Sequence, residues 1–250
     1  LFFGGEPLLE MERIREIVKH ADVLAKSYGK TISYNMTTNG TLIDEDTAIY
    51  LARNKIKYLT SVDGGQEVHD RHRHMANGKP SFHYIVKNFE HMKRYQPWQG
   101  ARITVHPDSA ETLVSGVKNL HNIGFNQFII GPALAPDILW DTAAISCFSE
   151  QLDELVALYV QMLLDKKHFR LHMFEWGKID AGAKHDKNND EWNKENCRNR
   201  YKNEWGCGAG RGRISVSVTG DLYGCSRLMT INGLAEEGLY KIGNIWNGID

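Results

Sequence analysis

The chain has no long apolar run. None of its stretches approaches the roughly 18 consecutive apolar residues that a bilayer-crossing helix needs, so a membrane-spanning helix is not expected. It also lacks a charge excess: 30 Lys and Arg stand against 31 Asp and Glu, a net charge of −1. That removes the basic surplus on which general nucleic-acid binding rests. Cysteine is scarce, with four residues at Cys147, Cys197, Cys207 and Cys225. Three of them fall in the last quarter, which points to a local site rather than a disulfide framework spread through the fold. The sequence starts at Leu1 with no polar lead-in and shows no signal peptide, which a chain that begins inside a fold could not show. The chain opens inside an apolar strand pattern, and the expectation is a fragment whose first strand lies upstream.

What is present is an ordinary soluble globular composition, 42% hydrophobic and 24% charged over 250 residues. That length makes one large domain, or a domain with an annex. Along the first two-thirds, short apolar runs alternate with amphipathic ones. Helices are expected over 8–28, 44–54, 81–95, 110–123 and 149–167, and strands over 31–36, 56–62, 101–106 and 128–130. A further strand ends at Phe3, and a polar loop rich in His, Asp and Arg leads up to Pro80. Strand alternating with helix implies right-handed βαβ units and a parallel sheet. The expected fold class is α/β, an open partial (β/α) barrel over 1–167, with a flavodoxin-like doubly wound sheet as the alternative. Residues 168–206 read as a linker or irregular cap whose Phe169, Phe174, Trp176 and Trp192 argue against a disordered tether. A β-hairpin follows: Ile214, Val216 and Val218 alternate with polar residues, Gly220-Asp221 turns, and 222–225 returns.

Each expected strand ends in residues able to do chemistry. Gly4-Gly5-Glu6-Pro7 follows the first: two glycines that let backbone approach a ligand, a carboxylate, and a ring that fixes the turn. Thr37-Thr38-Asn39-Gly40 follows the second. Ser61-Val62-Asp63-Gly64-Gly65 follows the third and leads to His69-Asp70 and Arg73. Thr104 lies within the fourth, and Ile130 ends the fifth before Gly131-Pro132. Ligands of such sheets sit at the carboxyl ends of the strands. Any one cluster reads equally well as a turn; their recurrence in order does not.

Gly4-Gly5-Glu6-Pro7 resembles the motif with which radical S-adenosylmethionine (radical SAM) enzymes gather the amino group of SAM. Ser61-Val62-Asp63-Gly64, then His69-Asp70, then Arg73 is similar to the peptide- and protein-modifying branch of that family. The resemblance covers most of residues 1–165. It implies SAM contacts at Gly4, Gly5, Glu6, Ser61 and Arg73, with Pro7 completing the first motif. Thr38, Asn39 and Asp63 would line the same pocket, and Thr104 and Ile130 its adenine side. Glu6 suits the amine, Ser61 and Asp63 the ribose, and Arg73 the carboxylate through a bidentate fork. No residue is assigned a catalytic role. The family's three-cysteine loop for a [4Fe–4S] cluster has no counterpart in these 250 residues, so this piece is expected to be inactive alone. A cluster-less relative that only binds SAM or a peptide is the non-enzymatic alternative.

Cys207 and Cys225 flank the hairpin, and two soft ligands on a tight turn suit an iron–sulfur cluster or zinc. A cross-hairpin disulfide or a zinc ribbon are the alternatives, though the paired C-x-x-C knuckles of a ribbon are missing. Residues 207–250 resemble the first half of a SPASM domain, which carries auxiliary [4Fe–4S] clusters. That resemblance implies Cys207 and Cys225 as cluster ligands, with Cys197 as a third ligand or a free thiol. Cys147 reads as an ordinary thiol. His69, His72, His74 and His83 suit a solvated loop better than a metal site, with His69 near the SAM pocket.

The family resemblance further implies a radical that takes hydrogen from a precursor peptide or protein. It also implies a flavodoxin or ferredoxin as electron donor and an anaerobic cytoplasm. Two activities compete: maturation of a ribosomally made peptide (crosslinking, thioether formation or epimerisation) and anaerobic sulfatase maturation, which makes formylglycine. Sulfatase-maturing relatives place an Asp after the cysteine equivalent to Cys225; here Ser226 stands there, which favours the peptide.

Overall fold

The computed structural model describes residues 1–175, 214–229 and 240–249. The chain divides into two compact units, Leu1–Gly182 and Ala183–Asp250.

In the first unit a 3₁₀ turn over Pro7–Glu10 runs into α1 (Met11–Ser27), followed by β1 (Asn35–Thr38), α2 (Glu45–Arg53), β2 (Lys57–Ser61) and α3 (Gln66–His72). Next come α4 (Phe82–Tyr95), β3 (Gly100–Val105), a 3₁₀ segment (Pro107–Thr112), α5 (Leu113–Ile123) and β4 (Gln127–Pro132). The long α6 (Thr142–Leu164), β5 (Arg170–Leu171) and α7 (His172–Glu175) close the unit. The five strands form one parallel sheet in the order β1-β2-β3-β4-β5. Phe2 extends it by a parallel bridge to Met36, donating to the Asn35 carbonyl and accepting from Thr37 N–H.

The two faces of the sheet differ. Met36, Tyr58, Ala101, Ile103, Val105 and Phe128 point one way and are buried in a core shared with the helices. Alternate residues on the other face are half-buried or exposed: Thr37, Leu59, Ser61, Arg102, Thr104 and Ile129. A doubly wound sheet covers both faces with helices. One covered face and one open face make a partial barrel, the first of the two expected architectures.

The local chemistry explains the boundaries. Asp44 caps α2 by accepting from Thr47 N–H at 2.8 Å, and Asp141 caps α6 by accepting from Ala144 N–H at 2.8 Å. That second cap starts α6 seven residues earlier than its expected boundary. Helix α3 lies where a polar loop was expected. Only His69 on it is buried, so it carries no apolar stripe to read. Residues 170–171, expected in the irregular cap, instead pair with Gln127 and Phe128.

In the second unit the expected hairpin is part of a four-stranded antiparallel sheet. Strand β6 (Ser215–Val216) pairs with β7 (Asp221–Tyr223), then β8 (Lys241–Asn244) and β9 (Gly248–Ile249). Gly220 makes the turn at φ 82°. Asp221 braces it, accepting from Thr219 Oγ1 at 2.8 Å, Asn244 Nδ2 at 2.9 Å and Lys241 Nζ at 2.7 Å. These donors, Lys241 first, hold its carboxyl down to about 2.

Gly64, after β2, and Gly116, on α5, touch backbone to backbone. A Cβ on Gly116 would meet Gly64 Cα at 3.0 Å. Gly116→Ala should therefore lower the unfolding free energy by about 1–3 kcal/mol, the usual range for overpacking a tight contact. Urea denaturation measures it, and unchanged stability would show that α5 shifts freely.

Candidate cofactor site at the strand ends

Glu6 is the first fixed point of the rim. Its Oε1 accepts from Leu8 N–H at 3.1 Å and from the Thr38 hydroxyl at 2.8 Å, and its Oε2 accepts from Asn39 N–H at 2.6 Å. One carboxylate thus latches the loop after the Phe2 bridge to the loop after β1. A carboxylate has about four acceptor positions, so one remains for an outside donor. Beside it, Gly4 (φ 101°) and Gly5 (φ 51°) have nothing within 4 Å of where a Cβ would lie. Their backbone faces open space in a conformation that side chains rarely adopt.

Thr38 and Asn39 work mainly inside this latch. Thr38 Oγ1 also accepts from Gly40 N–H at 3.1 Å. Asn39 Oδ1 accepts from Thr41 N–H at 2.9 Å and from the Thr41 hydroxyl at 2.7 Å, which makes an Asx turn.

Asp63 is the second fixed point. Its side chain is 2% exposed. Arg73 grips it with a fork, Nε to Oδ2 and Nη2 to Oδ1 at 3.1 Å, and Thr104 N–H donates to Oδ1 at 2.8 Å. Arg73 Nη2 also reaches Thr104 Oγ1 at 3.4 Å. Asp63, deeply buried, thus holds Arg73 in place.

A ring of hydrogen bonds completes this corner. Asp63 N–H donates to His69 Nδ1 at 3.3 Å, His69 Nε2 lies 2.9 Å from Ser81 Oγ, and Ser81 Oγ donates to the Arg73 carbonyl at 2.9 Å. The serine proton is committed to that carbonyl, so Nε2 must be the donor to Ser81, and the imidazole is neutral. Burial pushes the His69 pKa down to about 4, against the attraction of Asp63. Asp70 Oδ1 caps α4 by accepting from Ser81 N–H at 2.8 Å and Phe82 N–H at 2.9 Å. Ser81 is absent from the expected site residues; its position after Pro80, at a helix start, was the available signal.

Ser61 ends β2 half-buried on the open face, paired in register with Arg102. Ile130 does not share that face. It pairs with Ile103 and packs against the core, so its side chain does not line an adenine site.

The only potential metal cluster among the described residues is His72, His106 and Asp108, whose ligand atoms lie within 4.8 Å of one another. The two imidazoles stack at 3.7 Å with planes 6° apart. Parallel rings aim their lone pairs side by side, and His72 pairs with Asp108 at 3.1 Å. The trio reads as a ring stack with a His72–Asp108 hydrogen bond rather than a metal centre.

The rim suits SAM: an acceptor left on Glu6, bare glycine backbone facing open space, and a rigidly held arginine. An iron–sulfur cluster cannot be tested in the same way. Cys147, on α6 in the first unit, and Cys225, in the second, are the described cysteines, each half-buried. Cys197 and Cys207 lie outside the described residues.

No family model matches the chain. In sequence it is similar to the cysteine-type anaerobic sulfatase-maturating enzyme of Clostridium novyi, 36% identical over 99 residues, which are 38% of this chain and 25% of that protein. It is 34% identical over 110 residues to the serine-type enzyme of Bacteroides thetaiotaomicron, 43% of this chain and 26% of that protein. It is also 32% identical over 95 residues to the radical SAM cyclopropyl synthase TigE of Paramaledivibacter caminithermalis, 37% of this chain and 18% of that protein. The match spans about a quarter of the two sulfatase-maturating enzymes. The solved structure of native anSMEcpe with bound AdoMet superposes with a TM-score of 0.74 at 20% identity, covering 99% of this chain and 64% of that one. The same protein with AdoMet and the Kp18Cys peptide gives 0.73. The fold is thus the partial α/β barrel of the radical SAM type. The sequence is thus similar over part of its length to sulfatase-maturating enzymes and to a radical SAM synthase, and the fold is that of anSMEcpe.

Two consequences of the rim are measurable. Glu6→Ala leaves three donors without their acceptor and should destabilise the first unit by about 1–3 kcal/mol, read by urea denaturation. His69 is neutral in the fold with a lowered pKa. Its contribution is therefore complete above the unfolded value near 6.5 and is lost as pH falls toward 4. The loss is on the order of 3 kcal/mol. His69→Gln should flatten that part of the stability–pH curve, and equal slopes for both proteins would remove His69 as its source.

Proposed function

We propose that this chain is the SAM-binding part of a radical SAM enzyme that matures a peptide or protein. The observation that carries this is the Glu6 latch beside Gly4 and Gly5: an acceptor and bare backbone presented together at the strand ends. In this reading Glu6 accepts from the SAM ammonium, the glycine backbone borders the methionine moiety, and Ser61 meets the ribose. Asp63 and the His69–Ser81 ring keep Arg73 rigid, with Nη1 left to face an anion at the rim. Bound SAM, given one electron through an iron–sulfur cluster, would supply the radical that abstracts hydrogen. The chain's own residues contribute binding, orientation and exclusion of water.

Cys207 and Cys225, with Cys197, would serve an auxiliary cluster in a SPASM-like segment over 207–250. A flavodoxin or ferredoxin would deliver the electron, in an anaerobic cytoplasm. Among the described residues no helix is long and apolar enough to cross a membrane.

Of the two activities, maturation of a ribosomally made peptide is preferred, because Ser226 cannot take a proton as an aspartate would. Sulfatase maturation stands as the second reading, favoured by the named function of the Clostridium and Bacteroides relatives. The full-length protein, purified without air and reconstituted with iron and sulfide, should change the mass of a precursor peptide encoded beside it. Formylglycine on a sulfatase peptide would select the second reading. Absence of SAM cleavage under strong reductant would reject both.

A further inference from the structure

At the end of the first unit opposite the rim, helices finish and strands begin. The connecting segments there are stitched into one surface. Lys57 N–H donates to the Tyr34 carbonyl at 3.1 Å, and Gln96 Nε2 to the Ile56 carbonyl at 2.9 Å. Asn126 Nδ2 donates to the Pro97 carbonyl at 2.9 Å, and Arg170 N–H to the Asn126 carbonyl at 3.0 Å. Five strands at the usual spacing make this surface about 19 Å across. Basic residues in the last turns of α1, α2 and α4 are ordinary complements of the helix macrodipole. Lys30, Lys55, Lys57, Lys166 and Lys167 lie beyond the helix ends and are exposed. Among the described residues none of them is in an ion pair.

Helices α1, α2 and α6 end in the same way. Gly29 N–H donates to Lys26 and Lys30 N–H to Ala25; Lys55 donates to Ala52 and Ile56 to Leu51; Lys166 donates to Leu163 and Lys167 to Met162, each to the backbone carbonyl. This is the Schellman arrangement, whose left-handed residue is normally glycine. After α1 it is Gly29, at φ 59°. After α2 and α6 it is Lys55 and Lys166, each at φ 54°, and these are the only non-glycine residues with positive φ among the described residues. The macrodipole does not require this, since Lys26 serves it from within α1 without strain. Strain kept where glycine would remove it points to a role for the side chain.

The formal net charge is −1, so the basic surplus at this end is balanced elsewhere. Asp44, Glu45, Asp46, Glu67 and Asp141 stand at the starts of α2, α3 and α6, across the sheet. At the lysine end, the Asp22 carboxylate accepts from the Tyr34 hydroxyl and the Asp165 carboxylate from the Gln161 amide. A partner within about 8 Å, the screening length at physiological salt, meets mainly cations.

We propose that this basic end docks an acidic segment of a partner protein, held by Lys55 and Lys166 with Lys30, Lys57 and Lys167 around them. Charge complementarity selects the anion. The surface is built of short connections, and none projects a helix or ribbon that could enter a duplex groove, which favours a protein over a nucleic acid. The surface lies across the sheet from Glu6 and Arg73, so the proposal stands independently of the SAM reading.

Fluorescence anisotropy of a labelled oligoglutamate peptide and of an oligothymidylate of equal length, each titrated with the 250-residue chain at physiological salt, tests it. Wild type should bind the peptide more tightly than the oligonucleotide. K55G/K166G should weaken the peptide roughly fivefold or more, as for two exposed charge pairs, while melting no lower than wild type because glycine suits both backbones. K79Q/K87Q, which removes the same charge away from this surface, should leave peptide binding unchanged. The proposal fails if wild type does not bind the peptide, or if K55G/K166G binds it as wild type does. It also fails if K79Q/K87Q weakens it equally, since net charge alone would then suffice. Tighter binding of the oligonucleotide would make the surface a nucleic-acid site instead. A lower melting temperature for K55G/K166G would show that the lysines are kept for the fold.

Discussion

A carboxylate 2% exposed at the end of a parallel strand has to be compensated on the spot, and Asp63 is compensated by Arg73. Burying an ion costs several kcal/mol, and removing its partner leaves that cost uncovered. Much of the rim is arranged around this condition. Thr104 N–H, on β3, fills an acceptor that the fork leaves. The C-terminal end of α3 delivers Arg73, and its carbonyl receives the Ser81 hydroxyl from the start of α4. His69 closes the loop back to the Asp63 backbone. Its neutrality is part of the same condition: a proton on Nδ1 would set a donor against Asp63 N–H. Four elements thus meet at one ion pair and five hydrogen bonds.

The alternation of strands and helices was legible because parallel strands covered by helices leave apolar runs at short, regular spacing. Where burial depends on something else, the pattern fails. Helix α3 is held by one histidine and by polar contacts, so it looked like a loop. Strand β5 is two residues long, and β8, Lys-Ile-Gly-Asn, has no alternation to read. The first expected strand boundary, 31–36, differs from Asn35–Thr38 because pairing starts where Asn35 faces Lys57, a fact about the neighbour.

The site was legible as a set of positions and less so as a set of roles. Gly4, Gly5 and Glu6 follow the Phe2 bridge, Ser61 and Asp63 end or follow β2, and the end of α3 brings Arg73 to Asp63. Spacing cannot say which polar groups satisfy one another, so Asp63 and Asn39 looked available and are engaged within the protein. Ile130 was decidable. It has the same parity as Phe128, and side chains of one strand alternate faces, so a buried Phe128 turns Ile130 toward the core.

The choice of glutamate at position 6 follows from its three donors. Two backbone N–H groups and one hydroxyl converge on it, and only a group that is acceptor at both oxygens satisfies them all. Glutamine would turn an NH₂ toward N–H donors at one side. Aspartate is one methylene shorter and could not span from the Pro7 turn to the Asn39 amide without moving one loop. The latch therefore demands an anion on structural grounds alone. The same anion, partly desolvated and with one lone pair left, attracts an ammonium more strongly than a solvated carboxylate would. In the proposed reading, holding the rim together and binding the ammonium of SAM are therefore not separate requirements. In that reading, a sequence that kept the latch would keep the acceptor, and one that lost the charge would lose both.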